Sequence, residues 1–170
     1  MTLPIPHLAP LALGLAGAIV LDLRSRRIPN AVSGFVLLSA VVVRGLDQGG
    51  LAALAGVGAA ALVVAALYRP WTMGGIGGGD VKLAAATAAW IPFARLPWFA
   101  LAAAAAGGLV AGACYALARS PARAEIRANL ILTAVHQELP AVPSHRAGHP
   151  SVPYAIAIAS GAIVAFLFRA

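Results

Sequence analysis

The stretch from Leu51 to Tyr68, LAALAGVGAAALVVAALY, is apolar from end to end. A bilayer core about 30 Å thick is crossed by about 20 apolar residues in a helix, so this stretch reads as a membrane span. Similar runs lie on both sides of it. They predict six spans in all: Pro4–Leu21, Ala31–Leu46, Leu51–Tyr68, Val81–Phe93, Pro97–Ala118 and Val152–Phe168. The fourth is short; the others suffice once tilt and local thinning are allowed. The whole chain agrees. Its 170 residues are 61% hydrophobic and 10% charged, with a mean hydropathy of +0.90. A soluble domain averages about 45–50% apolar and about 25% charged, and so few polar groups cannot cover a water-soluble globule. Disorder is excluded because it needs low hydrophobicity. The single cysteine, Cys114, excludes an internal disulfide framework and a cysteine-rich zinc site. The expected fold is an all-α integral membrane protein, one membrane-embedded domain over residues 1–170 with no separate soluble domain.

Twelve Lys and Arg against five acids give a net charge of +7. In a soluble protein this excess would point to nucleic acid. No basic helix or aromatic platform accompanies it, so no nucleic-acid partner is expected. In a membrane protein, basic residues mark cytoplasmic loops. With the N-terminus outside, the inside loops hold Arg24, Arg26, Arg27, Arg69, Lys82, Arg119, Arg123, Arg127 and Arg146, and the outside holds Arg44, Arg95 and Arg169. The bias requires the fourth span to cross, since otherwise the Arg119–Arg146 group moves outside. The first twenty residues lack Lys and Arg, so span 1 is expected to be a retained helix, not a cleaved signal. Between spans 5 and 6, Ser120 and Pro121 read as an N-cap and a first helical position. Ile126, Leu130 and Ala134 follow at helical spacing with polar Arg123, Arg127, Gln137 and Glu138 beside them. This predicts an amphipathic helix lying in the cytoplasmic lipid interface, then a loop over Ala141–Ser151, where Pro140, Pro143, Pro150 and Pro153 break any helix. Trp71, Trp90 and Trp98 near span ends read as interface belts.

Two of the five acids stand against apolar runs. Asp22 closes span 1 and Asp80 opens span 4. Two spans separate them, so both are expected at the same, cytoplasmic, face. A carboxylate at membrane depth costs about 2.5–3.5 kcal/mol, which asks for a function. The plain alternative is that each lies at the interface and pairs with Arg24 or Lys82. The run before Asp80, Met73-Gly74-Gly75-Ile76-Gly77-Gly78-Gly79, favours function. Each glycine disfavours helix by about 1 kcal/mol, and non-helical backbone at membrane depth occurs only where it is buried or lines a cavity. The run therefore predicts an extended loop beside a carboxylate, open to the close approach of a peptide strand. A phosphate cradle would have Lys after the last glycine; here Asp80 follows Gly79 and would repel phosphate. His145 and His149 have metal-like spacing, but Pro143 and Pro150 argue against a helix that would align them, so no metal is expected. Ser25, Ser33 and Ser39 lack a His partner for nucleophilic catalysis, and Cys114 reads as a small core residue.

Asp22-Leu23-Arg24-Ser25-Arg26-Arg27-Ile28-Pro29-Asn30 resembles the aspartate signature of the type IV prepilin peptidases. Gly77-Gly78-Gly79-Asp80-Val81-Lys82-Leu83 is similar to their G-x-G-D motif, and Pro153-Tyr154-Ala155 with Gly161 to their C-terminal stretch. The likeness runs over nearly the whole chain. It is to the short, peptidase-only kind found with tight-adherence (Flp-type) pili: the paired cysteines and the length of the larger members' extra domain are missing. The resemblance implies peptidase activity without methyl transfer, no cofactor, and no use of S-adenosylmethionine. It implies a prepilin protein as substrate, cut at the cytoplasmic boundary of a prokaryotic inner membrane.

The resemblance makes Asp22 and Asp80 the catalytic pair. Two carboxylates close together cannot both ionise, so they share a proton. The ionised member takes a proton from water, the water attacks the scissile carbonyl, and the protonated member donates to the carbonyl oxygen. Gly77, Gly78 and Gly79 are expected to hold the scissile strand by backbone hydrogen bonds. Lys82, about 200° around a helix from Asp80, reads as an interface anchor. Pro29 is expected to turn the chain and Asn30 to cap span 2, supporting Asp22. The competing class is a small proton- or cation-coupled transporter using the same aspartates. Against it, both lie at one face instead of the midplane, and no inverted repeat is visible.

Overall fold

A computed structural model describes residues 5–73, 75–117 and 153–167. All regular elements among them are helical. A 3₁₀ turn at Ile5–Leu8 leads into α1 (Ala9–Ser25), followed by α2 (Asn30–Gln48), α3 (Gly50–Thr72) and α4 (Gly78–Ala88). A second 3₁₀ turn at Phe93–Arg95 leads into α5 (Leu96–Leu117), and α6 spans Tyr154–Leu167. Three segments are long and apolar enough to cross a membrane: Asn30–Gln48, Gly50–Thr72 and Phe93–Leu117. The helices α1, α4 and α6 are shorter, at 17, 11 and 14 residues. The predicted amphipathic helix, the Ala141–Ser151 loop, and His136, His145 and His149 fall outside the described residues.

The short α4 is the centre of the bundle. Val81, Leu83 and every residue from Ala84 to Ala88 are buried, as expected for a helix that is apolar all round. It packs on α2, α3 and α6, while α1 packs on α2 and α6. Small residues set the helix spacing: a Cβ on Gly161 of α6 would lie 2.7 Å from the Phe99 carbonyl oxygen of α5. The walls α3 and α5 attach to different parts of this centre, α3 to α4 and α5 to α6, with little direct packing between them.

Two sequence readings change at the C-terminal end of α4. Arg44, counted above as an outside loop charge, is 6% exposed. Its Nη1 donates to the Ala89 carbonyl at 2.9 Å and reaches the Ile91 carbonyl at 3.4 Å. The last carbonyls of a helix lack helical partners and carry partial negative charge, so an arginine inside the bundle satisfies them. Gly56 of α3 makes room, since a Cβ there would lie 2.7 Å from the same Ala89 oxygen. Trp90, read as part of an interface belt, is 1% exposed. Its indole N–H donates to the Val36 carbonyl at 2.9 Å, locking α4's exit to α2. Trp71 and Trp98 are exposed.

Candidate active site

Asp22 lies in the last turn of α1. The helix ends one turn later at Arg26, which adopts a left-handed conformation (φ 53°) and returns its N–H to the Asp22 carbonyl. That ending steers Arg27 to Pro29 back toward the start of α2. The Asp22 side chain is buried, and its Oδ2 accepts the Ala155 backbone N–H at 3.1 Å. Ala155 is the second residue of α6. First-turn N–H groups have no helical partner, and the helix dipole favours an anion there. The N-terminus of α6 therefore holds Asp22 across the bundle.

Asp80 is the third residue of α4 and is partly buried. Gly77, extended at φ −66° and ψ 140°, donates its backbone N–H to the Asp80 carboxylate, which is the return half of a capping box. A Cβ at Gly77 would lie 2.6 Å from Asp80 Oδ2, closer than real contacts allow, so glycine is required for the carboxylate to sit where it does. Asp22 is within electrostatic range of Asp80. The two sequence-predicted acids are thus brought together, each at the N-terminus of a short helix. The third described acid, Asp47, contacts the His7 ring instead.

The expected extended run is shorter than its composition implies. Gly78 and Gly79 belong to the first turn of α4, and among the described residues of the run only Met73, Gly75, Ile76 and Gly77 are non-helical. Tertiary contacts override the helix penalty of glycine here. A Cβ on Gly79 would lie 3.3 Å from the Ile28 carbonyl oxygen, and one on Gly78 would lie 3.1 Å from Trp71 Nε1. Lacking side chains, the two glycines let the chain before Pro29 and the end of α3 press against the helix start. Asn30 also departs from expectation. The N-cap position of α2 falls on Pro29, with no side-chain cap bond. Asn30 Oδ1 instead accepts the Lys82 Nζ at 2.9 Å, tying the exposed start of α2 to the first turn of α4. Lys82 is therefore committed to Asn30, not to Asp80.

A cavity of about 680 Å³ opens beside Asp80, and Tyr154 lines it with Asp80. The rest of its wall is apolar, drawn from α3, α4, α5 and α6 together with Ile76 and Phe93. In the sequence Tyr154 and Ala155 stand out only as part of a motif, with no role of their own. Ala155 lies 133 residues from Asp22 along the chain and Tyr154 belongs to a different helix from Asp80, so no local pattern points to either placement. Among the described residues no group of three or more His, Cys, Asp or Glu could hold a metal.

Residues 9–112, well over half of the chain, match the type IV leader peptidase family. The chain belongs to that family. No curated protein matches it, and no solved structure does. Family membership makes the protein a peptidase, and its long apolar helices make it a membrane protein. The leader peptidase match covers both aspartates, the glycine run and the Lys82–Asn30 tie. It ends before α6, whose first residues bond Asp22 and line the cavity.

Proposed function

We propose that the protein is an aspartic endopeptidase that removes the leader from Flp-type prepilins, with Asp22 and Asp80 as its catalytic pair and no methyl transfer. The observation that carries this reading is the convergence of two carboxylates, each held by a helix N-terminus, with Asp80 lining an apolar cavity and Asp22 within electrostatic range of it. Sharing one proton, the pair activates a water: one carboxylate takes its proton, and the hydroxide adds to the scissile carbonyl carbon. The other carboxyl gives its proton to the carbonyl oxygen. Collapse of the tetrahedral intermediate breaks the C–N bond, and the leaving amine takes a proton from the pair. Gly77, with Gly78 and Gly79, supports the geometry through Asp80, while Pro29, Asn30 and Lys82 brace the turn beside Asp22.

The same reading gives six membrane crossings in one domain, the N-terminus outside and the pair at the cytoplasmic face of a prokaryotic inner membrane. The charge count supports it: moving Arg44 from loop to interior leaves Arg95 and Arg169 as the outside basic residues against nine inside. The family match lends no support to a transporter. The test is prepilin cleavage in liposomes by Asp22→Asn and Asp80→Asn. Each is expected to abolish cleavage while insertion and expression persist. Processing by either at near wild-type rate would defeat the proposal.

A further inference from the structure

The cavity does not end at the aspartates. One end is formed by Ile76, Asp80 and Tyr154, and the other by Phe93 and Leu96. Asp80 and Ala84 of α4 line it, and along α5 the lining runs from Leu96 to Ala111, a rise of about 22 Å at 1.5 Å per residue. Its floor is α4 and α6, and its side walls are α3 and α5, which scarcely pack on each other. It is thus a lengthwise groove, open between α3 and α5.

Its chemistry limits what can lie in it. Beyond Asp80 and Tyr154 the lining offers no polar side chain. A polypeptide there must satisfy its own backbone hydrogen bonds, and in apolar surroundings a single segment does so only as a helix. The α5 wall presents Ala100, Ala104 and Gly108, all exposed and spaced one ridge position apart, i to i+4. A Cβ on Gly108 would meet nothing within 4 Å, so the space before this ridge is free. Small ridges of this kind let a helix approach closely.

Resting on the peptidase reading above, we infer that the α3–α5 groove seats the membrane helix of the substrate, with about three turns of it beyond the scissile bond lying along Ala100, Ala104 and Gly108. The groove is continuous with Asp80, so a chain cut at the pair enters the groove directly. The small ridge selects substrates with bulky side chains on the facing positions of that helix. Ala100, Ala104 and Gly108 are therefore specificity-determining residues, distinct from the catalytic pair.

The test uses the full-length protein in liposomes with a full-length prepilin. Ala104→Leu and Gly108→Leu fill the groove and are expected to raise KM about tenfold or more, with little change in kcat. Leu109→Ala, on a face of α5 outside the groove, is expected to change neither. A photo-crosslinking side chain at position 104 of the Asp80→Asn protein is expected to capture prepilin through its membrane helix, and one at position 109 is not. Unchanged KM in both leucine variants, or crosslinks from position 104 only to lipid or to the protein itself, would overturn the groove assignment and leave the pair intact. Cleavage by Asp80→Asn would overturn the pair whatever the crosslinks show.

Discussion

At its N-terminal end α4 starts from glycine, leaves Asp80 facing a cavity, and is tied by an exposed Lys82–Asn30 hydrogen bond. At its C-terminal end it stops against the buried side chains of Arg44 and Trp90, with Gly56 pressed onto its last carbonyls. Both ends add partners from other helices to their local capping, the Gly77–Asp80 bond at one end and the Ala89 N–H bonds at the other. They differ in what the partners accomplish. The C-terminal end is locked to α2 and α3 and fixes the helix in the bundle. The N-terminal end keeps room around a carboxylate, and the lock at the far end keeps that carboxylate in place. An 11-residue helix thereby serves as a rigid mount for one acid.

The largest effect that would sharpen this contrast is at the open end. Gly77→Ala places a methyl group against the Asp80 carboxylate and should displace it. Misplacement on the scale of about 1 Å costs on the order of 10²-fold in rate. The expected result is a loss of that size in kcat, with thermal stability in detergent little changed. A stable, fully active Gly77→Ala would break the claim that glycine positions the acid.

At the locked end the expected effect is on stability. Arg44→Met keeps the stem against α3 but strands the carbonyls of Ala89 and Ile91. Leaving buried acceptors unpaired costs about 1–3 kcal/mol, which a shift of the unfolding midpoint would show. Trp90→Phe removes one N–H from the Val36 carbonyl and should lower stability by about 1 kcal/mol, read the same way. The smallest effect belongs to Lys82→Met. An exposed tie is worth about 0.5 kcal/mol or less, so stability should hardly move and cleavage should fall only a few-fold. A larger stability loss from Lys82→Met than from Arg44→Met would reverse the assignment of the two ends.

The acids of the open end stand out in the sequence, whereas its helical glycines, its Lys82–Asn30 tie and the whole locked end do not. Asp22 and Asp80 announce themselves because a carboxylate beside an apolar run is expensive, and few acids compete for attention. Arg44 carried the same signal. It lies inside the predicted span Ala31–Leu46, yet charge counting treats every cation as a loop residue. Its partners are backbone carbonyls of a helix far along the chain, which no composition rule sees. Trp90 failed for the same reason: its position near a span end resembled a belt, while its N–H was committed to α2. Gly78 and Gly79 looked too flexible for helix because propensity ignores Trp71 and Ile28, which need those positions bare. The bond from Ala155 to Asp22 joins the two ends of the chain and belongs to tertiary structure alone.

The pairing of Asp22 with Asp80 is the central claim, and single-turnover cleavage of prepilin in liposomes by Asp22→Asn, Asp80→Asn and the double variant tests it most directly. Residues that act as one unit are strongly non-additive. Each single variant should lose on the order of 10³-fold or more in rate, and the double variant should be no slower than the slower single one. A single variant near the wild-type rate, or losses that multiply in the double variant, would contradict the account.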